Sequence, residues 1–505
     1  MIDGILAALA PRLAADRAES RLRLSQAQAQ TRIVQSYDAA SVGGRMSGWR
    51  RPATSQNSEA QAALQILRGG ARELARNNPH ANRALRVLAS HIAGTGLRPR
   101  PDLGADAPDT EATTREKRAA RDQWQRFTEN CDPDGRTDWY GQQRLLIRAV
   151  AEGGEALRIW TPTTDRGRLF WRCSVVEGDH LDHLRNEEYR DGRRIVQGVE
   201  FDALGQRIAY WLHENHPGER FRVMSRLTSR RVPAEYVDHA FEMLRPGQVR
   251  GISWFAPVAL TIRDLGDLAE ATVVKKKIEA CLAMVLTNAE GAPMGGLGSA
   301  GLDGAKDDAG AVVTDSSGAA VERLRPGMIV SAPPGWDAKF NQPTSSGDLV
   351  PHMAERLHAV AAGIGVTYAQ LTGDMSGASY SSMREGRLEF NRLIDSWQDD
   401  LMIHQTGRPA WRRVMDAAVA NGDIERRPRA KFTRPERPWV DPSKDMAAAL
   451  EGARAGVGSM QDIMERRGLD PDDVLSENAE WQRKAREAKL QFSVDFTLKE
   501  GGDAP

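Results

Sequence analysis

The sequence has no net charge at pH 7, and this absence already restricts what the protein can do. Its 69 lysines and arginines balance 69 aspartates and glutamates among 505 residues. Proteins that hold DNA tightly usually carry excess positive charge, because their affinity comes largely from neutralising phosphates. The balance therefore argues against tight DNA binding but allows DNA to pass loosely along a surface.

Cysteines and long apolar runs are also scarce. The three cysteines, Cys131, Cys173 and Cys281, lie far apart and form no CxxC pair. This spacing argues against a zinc cluster or a disulfide scaffold and fits a reducing cytoplasm. No run approaches the roughly 18 apolar residues that a membrane helix needs. The acidic Asp3 and the short apolar stretch around it predict no signal peptide.

Motifs for nucleotide binding and for nucleophilic catalysis are missing as well. The glycine-rich stretch 295–308 lacks the GxxxxGK[ST] spacing, because Ala305 separates Gly304 from Lys306 and no hydroxyl follows. The GxSxG motif of a nucleophile elbow is also absent, because Leu297 stands where its first glycine would be. We therefore expect no catalytic residue and no cofactor.

The densest group of carboxylates leaves one enzymatic alternative open, a metal-dependent nuclease. Asp132, Asp134 and Asp138 lie close together in the sequence, but their Asp-Pro-Asp-Gly setting favours a turn. Histidines occur in two HxxH pairs, His180 with His183 and His213 with His216. That spacing puts two rings on one face only in a helix, whereas these segments are typical of strand ends and turns. We expect no metal site.

Apolar periodicity predicts a mostly helical chain with one β-rich module. Helices are expected at Ser58–His91, Thr113–Phe127 and Tyr140–Glu152, and strands separated by turns between Ala156 and Phe241, with a hairpin at Gly205. A long helix at 256–286, a glycine-rich flexible excursion at 291–318, and a returning helix at 349–363 follow. The last elements are a polar loop at 372–382, a long helix at 383–420, an extended segment at 427–442 and a helical tail. The apolar side of the long helix at 383–420 is predicted to contain Leu388, Leu393, Trp397, Leu401 and Trp411.

Two sets of side chains are candidates for contact with nucleic acid. Basic residues lie on the long helices, and a solvated helix face is the alternative explanation for them: Lys275, Lys276, Lys277, Arg384 and Arg387. The polar loop carries Asp374 as its one fixed charge, so it can touch a phosphate backbone without holding it. An ordinary connecting loop is the alternative interpretation there.

Several segments carry a resemblance that runs in order from about residue 60 to 470. They are ARELARNNPHANRALRVLASHIAGTGLRPR (Ala71–Arg100), CDPDGRTDWYGQQRLLIRAVAEGGEAL (Cys131–Leu157), VVEGDHLDH (Val175–His183), GVEFDALGQRIAYWLHENHPG (Gly198–Gly218), VPAEYVDHAFEMLRPGQVRGISWFAPV (Val232–Val258), AAGIGVTYAQLTGDMSGASYSSMREGRLEF (Ala361–Phe390) and KFTRPERPWVDPSKD (Lys431–Asp445). Together they resemble the lambda-type family of tailed-bacteriophage portal proteins. No single motif is catalytic, so the specificity comes from the number and order of the matches.

The resemblance implies an α+β portal-type fold that assembles as a ring. The implied parts are an N-terminal helix and flexible arm (1–57), a wing with a helical part and then the β-rich module (58–255), a stem helix (256–286), a clip (287–347), a returning stem helix (348–365), a tunnel-loop region (366–382), a long wing helix (383–425), and an extended segment with a C-terminal crown (426–505).

The resemblance also implies a structural role rather than an enzymatic one. The ring, typically of twelve subunits, would form a DNA channel at one capsid vertex, through which the genome is packaged and ejected. Implied partners are other copies of the chain, double-stranded DNA, terminase, head-completion and adaptor proteins, and the major capsid protein, with no membrane. The implied location is the virion, after assembly in the host bacterial cytoplasm. The implied channel contacts are Thr372, Asp374, Ser376, Ser379, Tyr380, Ser381 and Ser382.

Overall fold

The computed structural model divides the chain into two units, Met1–Ser55 and Gln56–Pro505. It describes Ser20, Arg23 and Leu24, which are helical, and residues 53–104, 110–219, 228–280, 284–288, 336–340, 349–439 and 441–490. The predicted N-terminal arm (1–57) therefore lies largely outside the described residues. All elements below belong to the second unit.

The first predicted helix is two helices, α1 (Gln56–Asn77) and α2 (Pro79–Ile92). The prediction of one continuous helix was wrong at Asn78 and Pro79. The Asn78 side chain accepts hydrogen bonds from the amides of His80 and Ala81 and so caps α2. Proline is favoured in the first turn of a helix, where its missing N–H is no loss, but it would break a helix interior.

The next two predicted helices are confirmed as α3 (Glu111–Asn130) and α4 (Trp139–Gly153). Thr110 and Thr113 form a reciprocal cap at the start of α3. Gly154 ends α4 with a φ of 91°. A Cβ at Gly154 would lie 2.4 Å from the carbonyl carbon of Ile252, so both the backbone angle and the packing require glycine.

The β-rich module is confirmed, and it consists of two antiparallel sheets. Strands β2 (Glu155–Asp165), β3 (Arg168–Glu177) and β9 (Val237–Phe241) form one sheet in the order β3-β2-β9. The second sheet follows chain order: β4 (Glu187–Glu188), β5 (Arg194–Val196), β6 (Val199–Phe201), β7 (Arg207–His213) and β8 (Ser229–Pro233). The predicted hairpin joins β6 to β7, with Gly205 at a φ of 82°.

A further strand, β1 (Arg98–Asp102), pairs antiparallel with β12 (Arg429–Thr433). The sequence pattern did not predict β1, which contains Pro99 and Pro101. Proline cannot donate to a sheet ladder and is confined to edge positions. A two-stranded sheet offers such positions, because each strand has an unpaired side.

The predicted helix at 256–286 was too long. Helix α5 spans Ala259–Ala280, and its predicted C-terminal end is instead strand β10 (Met284–Asn288), which pairs with β11 (Trp336–Phe340). The β-branched and apolar residues of the β10 segment favour a strand once a partner is present. Between these two strands the predicted flexible excursion and most of the clip lie outside the described residues.

The returning helix is confirmed as α6 (Leu349–Ile364), and a short helix α7 (Tyr368–Thr372) follows it. The long helix then comprises α8 (Tyr380–Trp397), a π-helix (Gln398–Gly407) and α9 (Arg408–Ala420). Its predicted apolar side is confirmed for Trp397, Leu401 and Trp411, which are buried. Leu388 was assigned to that side wrongly, because it is exposed while Phe390 and Ile394 are buried.

The C-terminal tail is helical as predicted: α10 (Pro442–Arg454), α11 (Met460–Arg466) and α12 (Pro471–Glu487). Of the residues in these three helices, Pro471 alone is buried. None of the helices in the described part of the chain has the length and apolar content of a membrane span.

In the part of the chain that the structure describes, three apolar clusters form the core. The largest joins α1, α2 and α4 to α5–α8 and the π-helix. A second cluster is rich in aromatic side chains and joins α3 and α9 to β2 and β3, and the third lies between the two sheets.

Candidate functional site

The predicted channel loop is a short segment between two capped helices. Gly373 ends α7 in the left-handed conformation (φ 81°), and its amide donates to the carbonyl of Ala369 at 2.8 Å. Ser379 begins α8, and its side chain accepts from the amide of Ser382 at 3.2 Å. On the body side, Arg83 of α2 donates to the carbonyl of Gln370 at 2.6 Å. The two ends of the loop are therefore held by hydrogen bonds to backbone groups of the flanking helices.

Every residue from 373 to 385 is exposed. Within the loop, Asp374 accepts from the amide of Ser376 at 2.9 Å, and a turn joins Ala378 to Met375 at 3.1 Å. Hydrogen bonds from Ser376 lower the pKa of Asp374 below its usual value. Asp374 is therefore ionised at neutral pH and places a negative charge at the tip of an exposed loop.

The structure shortens the predicted loop at both ends. Thr372 is the last residue of α7, and its hydroxyl donates to the carbonyl of Tyr368 at 2.9 Å. Tyr380, Ser381 and Ser382 form the first turn of α8, which begins three residues earlier than predicted because Ser379 and Ser382 form a reciprocal cap. The loop proper is residues 373–379.

The candidate basic residues sit on two separate helices. Lys275, Lys276 and Lys277 are exposed near the C-terminal end of α5. On α8, Arg384 pairs with Asp445 of α10 at 3.6 Å, and Arg387 donates to the carbonyl of Pro438. The two arginines therefore contact the C-terminal part of this chain.

The carboxylate group is a turn and a helix cap. Asp132 accepts from the amides of Arg136 and Thr137, each at 3.0 Å. Asp138 accepts from the amide of Gly141 at 2.6 Å and caps α4. Backbone donors thus occupy oxygens of both side chains, which confirms the predicted turn.

One group of side chains has the composition of a metal site. The ligand atoms of Glu177, Asp179 and His216 all lie within 4.8 Å of one another. Arg72 of α1, however, donates to Glu177 at 2.5 Å and to Asp179 at 2.6 Å. Burial alone would raise the pKa of Asp179, but the hydrogen bond from Arg72 and the charge of Arg68 hold that pKa low. The guanidinium of Arg72 already balances the charge of these carboxylates, so the cluster is a salt bridge between α1 and the end of β3.

A buried ionic network next to this salt bridge was not predicted from the sequence. Glu155, at the start of β2, is fully buried and accepts hydrogen bonds from Arg68, Arg250 and His239, and from the amide of Gly251. Burial opposes ionisation, yet the charges of Arg250 and Arg68 hold the pKa of Glu155 well below its usual value. Its partners come from three segments that are distant in sequence, so periodicity along the chain cannot reveal them.

The sequence is similar to those of known proteins over most of its length. The sequence model of the phage portal proteins of the lambda family matches residues 42–398. The chain belongs to this family. The match covers both sheets of the β-rich module, the helices α5 and α6, and the loop 373–379 with its two caps.

Individual portal proteins are similar over nearly their whole length. A probable portal protein of Halomonas phage phiHAP-1 is 28% identical over 457 residues, which cover 87% of this chain and 84% of the relative. Portal protein B of Escherichia phage lambda is 24% identical, with 89% of each chain covered. A chain from the neck of a native gene transfer agent particle, computed with C12 symmetry, aligns with a TM-score of 0.45 at 15% identity, over 85% of this chain and 98% of that one. Family membership makes this chain a phage portal protein in function.

Proposed function

We propose that copies of this chain form a ring-shaped channel at one vertex of a phage capsid, through which the genome enters and leaves. On the family pattern the ring has twelve subunits and is assembled in the host cytoplasm. It gives terminase, head-completion and adaptor proteins, and the major capsid protein a surface on which to dock. No enzymatic step is part of this role, and no observation in the described part of the chain favours the nuclease alternative.

The observation that carries the proposal is the exposed loop 373–379 between two capped helices. Its ends are fixed by Gly373, Ser379 and Arg83, while its length is too short to fold into a core of its own. A fixed, exposed loop suits a constriction that touches a passing polymer. The proposed constriction is this loop together with the first turn of α8.

The chemistry of the loop fits DNA that must slide. Asp374 is its one charged residue, and a carboxylate repels phosphate. The hydroxyls of Thr372, Ser379 and Ser382 take part in hydrogen bonds within the chain. Met375 is 62% exposed and Tyr380 is 49% exposed, so both offer passing DNA a surface without charge. Such a surface gives weak, sequence-independent contact.

The test replaces residues 374–378 by two glycines and keeps both caps. We expect rings of normal appearance by electron microscopy, together with particles that protect less DNA from nuclease. A second variant, Asp374→Lys, adds attraction to phosphate and should make DNA release slower and more dependent on salt. Asp191→Lys is the matched control, because Asp191 is likewise exposed and hydrogen-bonded within its own turn.

Loss of rings in the loop variant would assign residues 374–378 to a subunit interface instead of the channel. Equal effects of Asp374→Lys and Asp191→Lys would show that the loop does not meet DNA. Metal-dependent DNA cleavage by the wild-type chain, abolished by Asp132→Asn, would replace the proposal by the nuclease.

A further inference from the structure

Two of the three cysteines, distant in sequence, lie side by side in the aromatic cluster. Cys131 directly follows α3, and Cys173 lies in the middle of β3. The amide of Cys173 donates to the carbonyl of Cys131 at 2.8 Å. This bond brings the two backbones into direct contact, and a disulfide joins residues whose Cα atoms lie roughly 4.4–6.8 Å apart.

The two thiols face the same interior. Cys131 and Cys173 are 0% and 1% exposed and belong to one packed cluster. The Cys173 sulfur is 3.3 Å from Oε1 of Gln142, and the Cys131 sulfur is 3.6 Å from the carbonyl of Thr128. Burial raises the pKa of the Cys173 thiol, and the adjacent Cys131 thiol adds to this shift as a hydrogen-bonding partner.

A buried arginine, Arg158, lies next to the two cysteines. Arg158 is fully buried, with its guanidinium carbon 4.0 Å from the centre of the Trp139 ring. Among the described residues, none accepts a hydrogen bond from its Nε, Nη1 or Nη2 atoms. Burial lowers the pKa of Arg158, and Cys173 is the first of the neighbours that oppose this shift. A buried cation without an acceptor is costly, and a thiolate on either cysteine would supply one.

We propose that Cys131 and Cys173 are a site of oxidative modification that closes to an intrachain disulfide. The oxidant is a low-molecular-weight disulfide. Local opening lets one cysteine lose its proton beside Arg158, and the resulting thiolate attacks that disulfide and expels one small thiolate, which leaves a mixed disulfide. The second cysteine then attacks the protein sulfur and expels the other small thiolate. Two protein S–H bonds are lost, one S–S bond forms, and the small disulfide takes up the two electrons and two protons.

The bond would brace the wing part of the chain after assembly. It joins the end of α3 to β3 and closes a loop of about 40 residues, which restricts the unfolded chain. Because both sulfurs are buried, the exchange requires local opening and is slow in the folded chain. The role of this disulfide rests on the proposed function. A subunit of a virion leaves the reducing host cell, and the disulfide then forms in oxidising surroundings.

The test uses the full-length chain, purified with reductant and then freed from it. After incubation with oxidised glutathione, we expect two of the three thiols to be lost on titration in denaturant. Peptide mapping without reduction should show one peptide pair that joins Cys131 to Cys173, and Tm should rise by roughly 2–4 °C. A low concentration of urea should speed the reaction, because it promotes opening.

Cys131→Ser and Cys173→Ser should each abolish the bridged peptide and the rise in Tm, whereas Cys281→Ser should change neither. Arg158→Gln should slow bridge formation and Arg158→Lys should restore it. If the Arg158 variants do not fold, the cysteine variants decide the question.

Three titratable thiols after prolonged incubation would overturn the proposal. So would glutathione adducts on Cys131 or Cys173 without the bridged peptide, because the geometry then fails the second step. The double variant Cys131→Ser, Cys173→Ser should still form rings, so a failure of bridging and a failure of ring assembly are separate results.

Discussion

At the scale of single residues, the most consequential group is the carboxylate of Glu155. It receives Arg68 from α1, His239 from β9, and Arg250 and the Gly251 amide from the segment before α5. A buried ion pair costs desolvation, and removing one partner leaves an uncompensated charge. The network therefore connects helix α1 to the β-rich module through one side chain.

Acid should weaken the fold through this network. Burial lowers the pKa of His239 to about 4, so between pH 6.5 and 4 the unfolded chain binds a proton that the folded chain does not. Stability is then full above pH 6.5 and falls by about 3 kcal/mol toward pH 4 from this residue. Urea unfolding at a series of pH values measures the slope, and His239→Gln should flatten it.

His404, an exposed residue of the π-helix, provides the control for this prediction. The His404→Gln variant should keep the pH dependence of the wild-type chain. An unchanged slope in His239→Gln would show that other groups set the acid sensitivity.

At the scale of elements, the long helix after the loop departs from the simple pattern. The side chain of Gln405 in its π-helical part forms hydrogen bonds with both the amide and the carbonyl of Phe241 at the end of β9, at 3.0 and 3.1 Å. An α-helix in the same place would point this side chain in another direction. Gln398 donates to the carbonyl of Ile92 at the end of α2, at 2.8 Å. Tertiary contacts thus favour the wider turn, which is rare in helices.

Gly407 should be the position where this element tolerates least change. A Cβ there would lie 2.8 Å from the carbonyl oxygen of Met402 and 2.8 Å from the Phe432 ring. We expect Gly407→Ala to lower the free energy of unfolding by about 1–3 kcal/mol through overpacking. Denaturant unfolding checks this.

Gly386, in α8 of the same long helix, is the matched control. Its Cβ would meet the Thr367 methyl at 3.6 Å, an ordinary contact. Gly386→Ala should be neutral or stabilise by up to about 1 kcal/mol, because alanine is the better helix former. Equal destabilisation by both substitutions would contradict the overpacking at Gly407.

At the scale of the whole molecule, the C-terminal helices are held to the body by charge more than by apolar packing. Arg121 of α3 pairs with Asp470, Asp472 and Asp473 at the start of α12, and Arg100 of β1 pairs with Asp470 at 3.3 Å. Almost no residue of α10–α12 is buried in the single chain. Contacts of this kind are weakened by salt.

Arg121→Gln should therefore loosen the C-terminal helices without unfolding the body. We expect limited proteolysis within 460–490 to be several times faster than in the wild-type chain, and high salt should produce a similar increase in the wild type. Arg427→Gln, which removes a pair with the single residue Asp416, should leave the cleavage rate unchanged. A wild-type cleavage rate that does not respond to salt would show that other contacts hold these helices.

The sequence by itself determined the order of the elements and the family. Apolar periodicity placed α3, α4, α6 and the β-rich module, because apolar side chains recur along each element at the spacing of its own backbone. The Asp-Pro-Asp-Gly turn followed from local hydrogen bonds of Asp132. These features depend on residues only a few positions apart, so the amino-acid sequence alone predicts them.

Only the tertiary structure decided the features whose partners are distant in sequence. Strand β1 exists because β12 pairs with it, and the π-helix because β9 and α2 bond its side chains. The bond from Arg387 to the carbonyl of Pro438 likewise joins α8 to a segment distant in sequence. The start of α8 moved to Tyr380 through a cap that shortened the loop. The carboxylate of Glu155 and the pairing of Cys131 with Cys173 likewise arise from segments that folding brings together, and no spacing along the chain expresses that proximity.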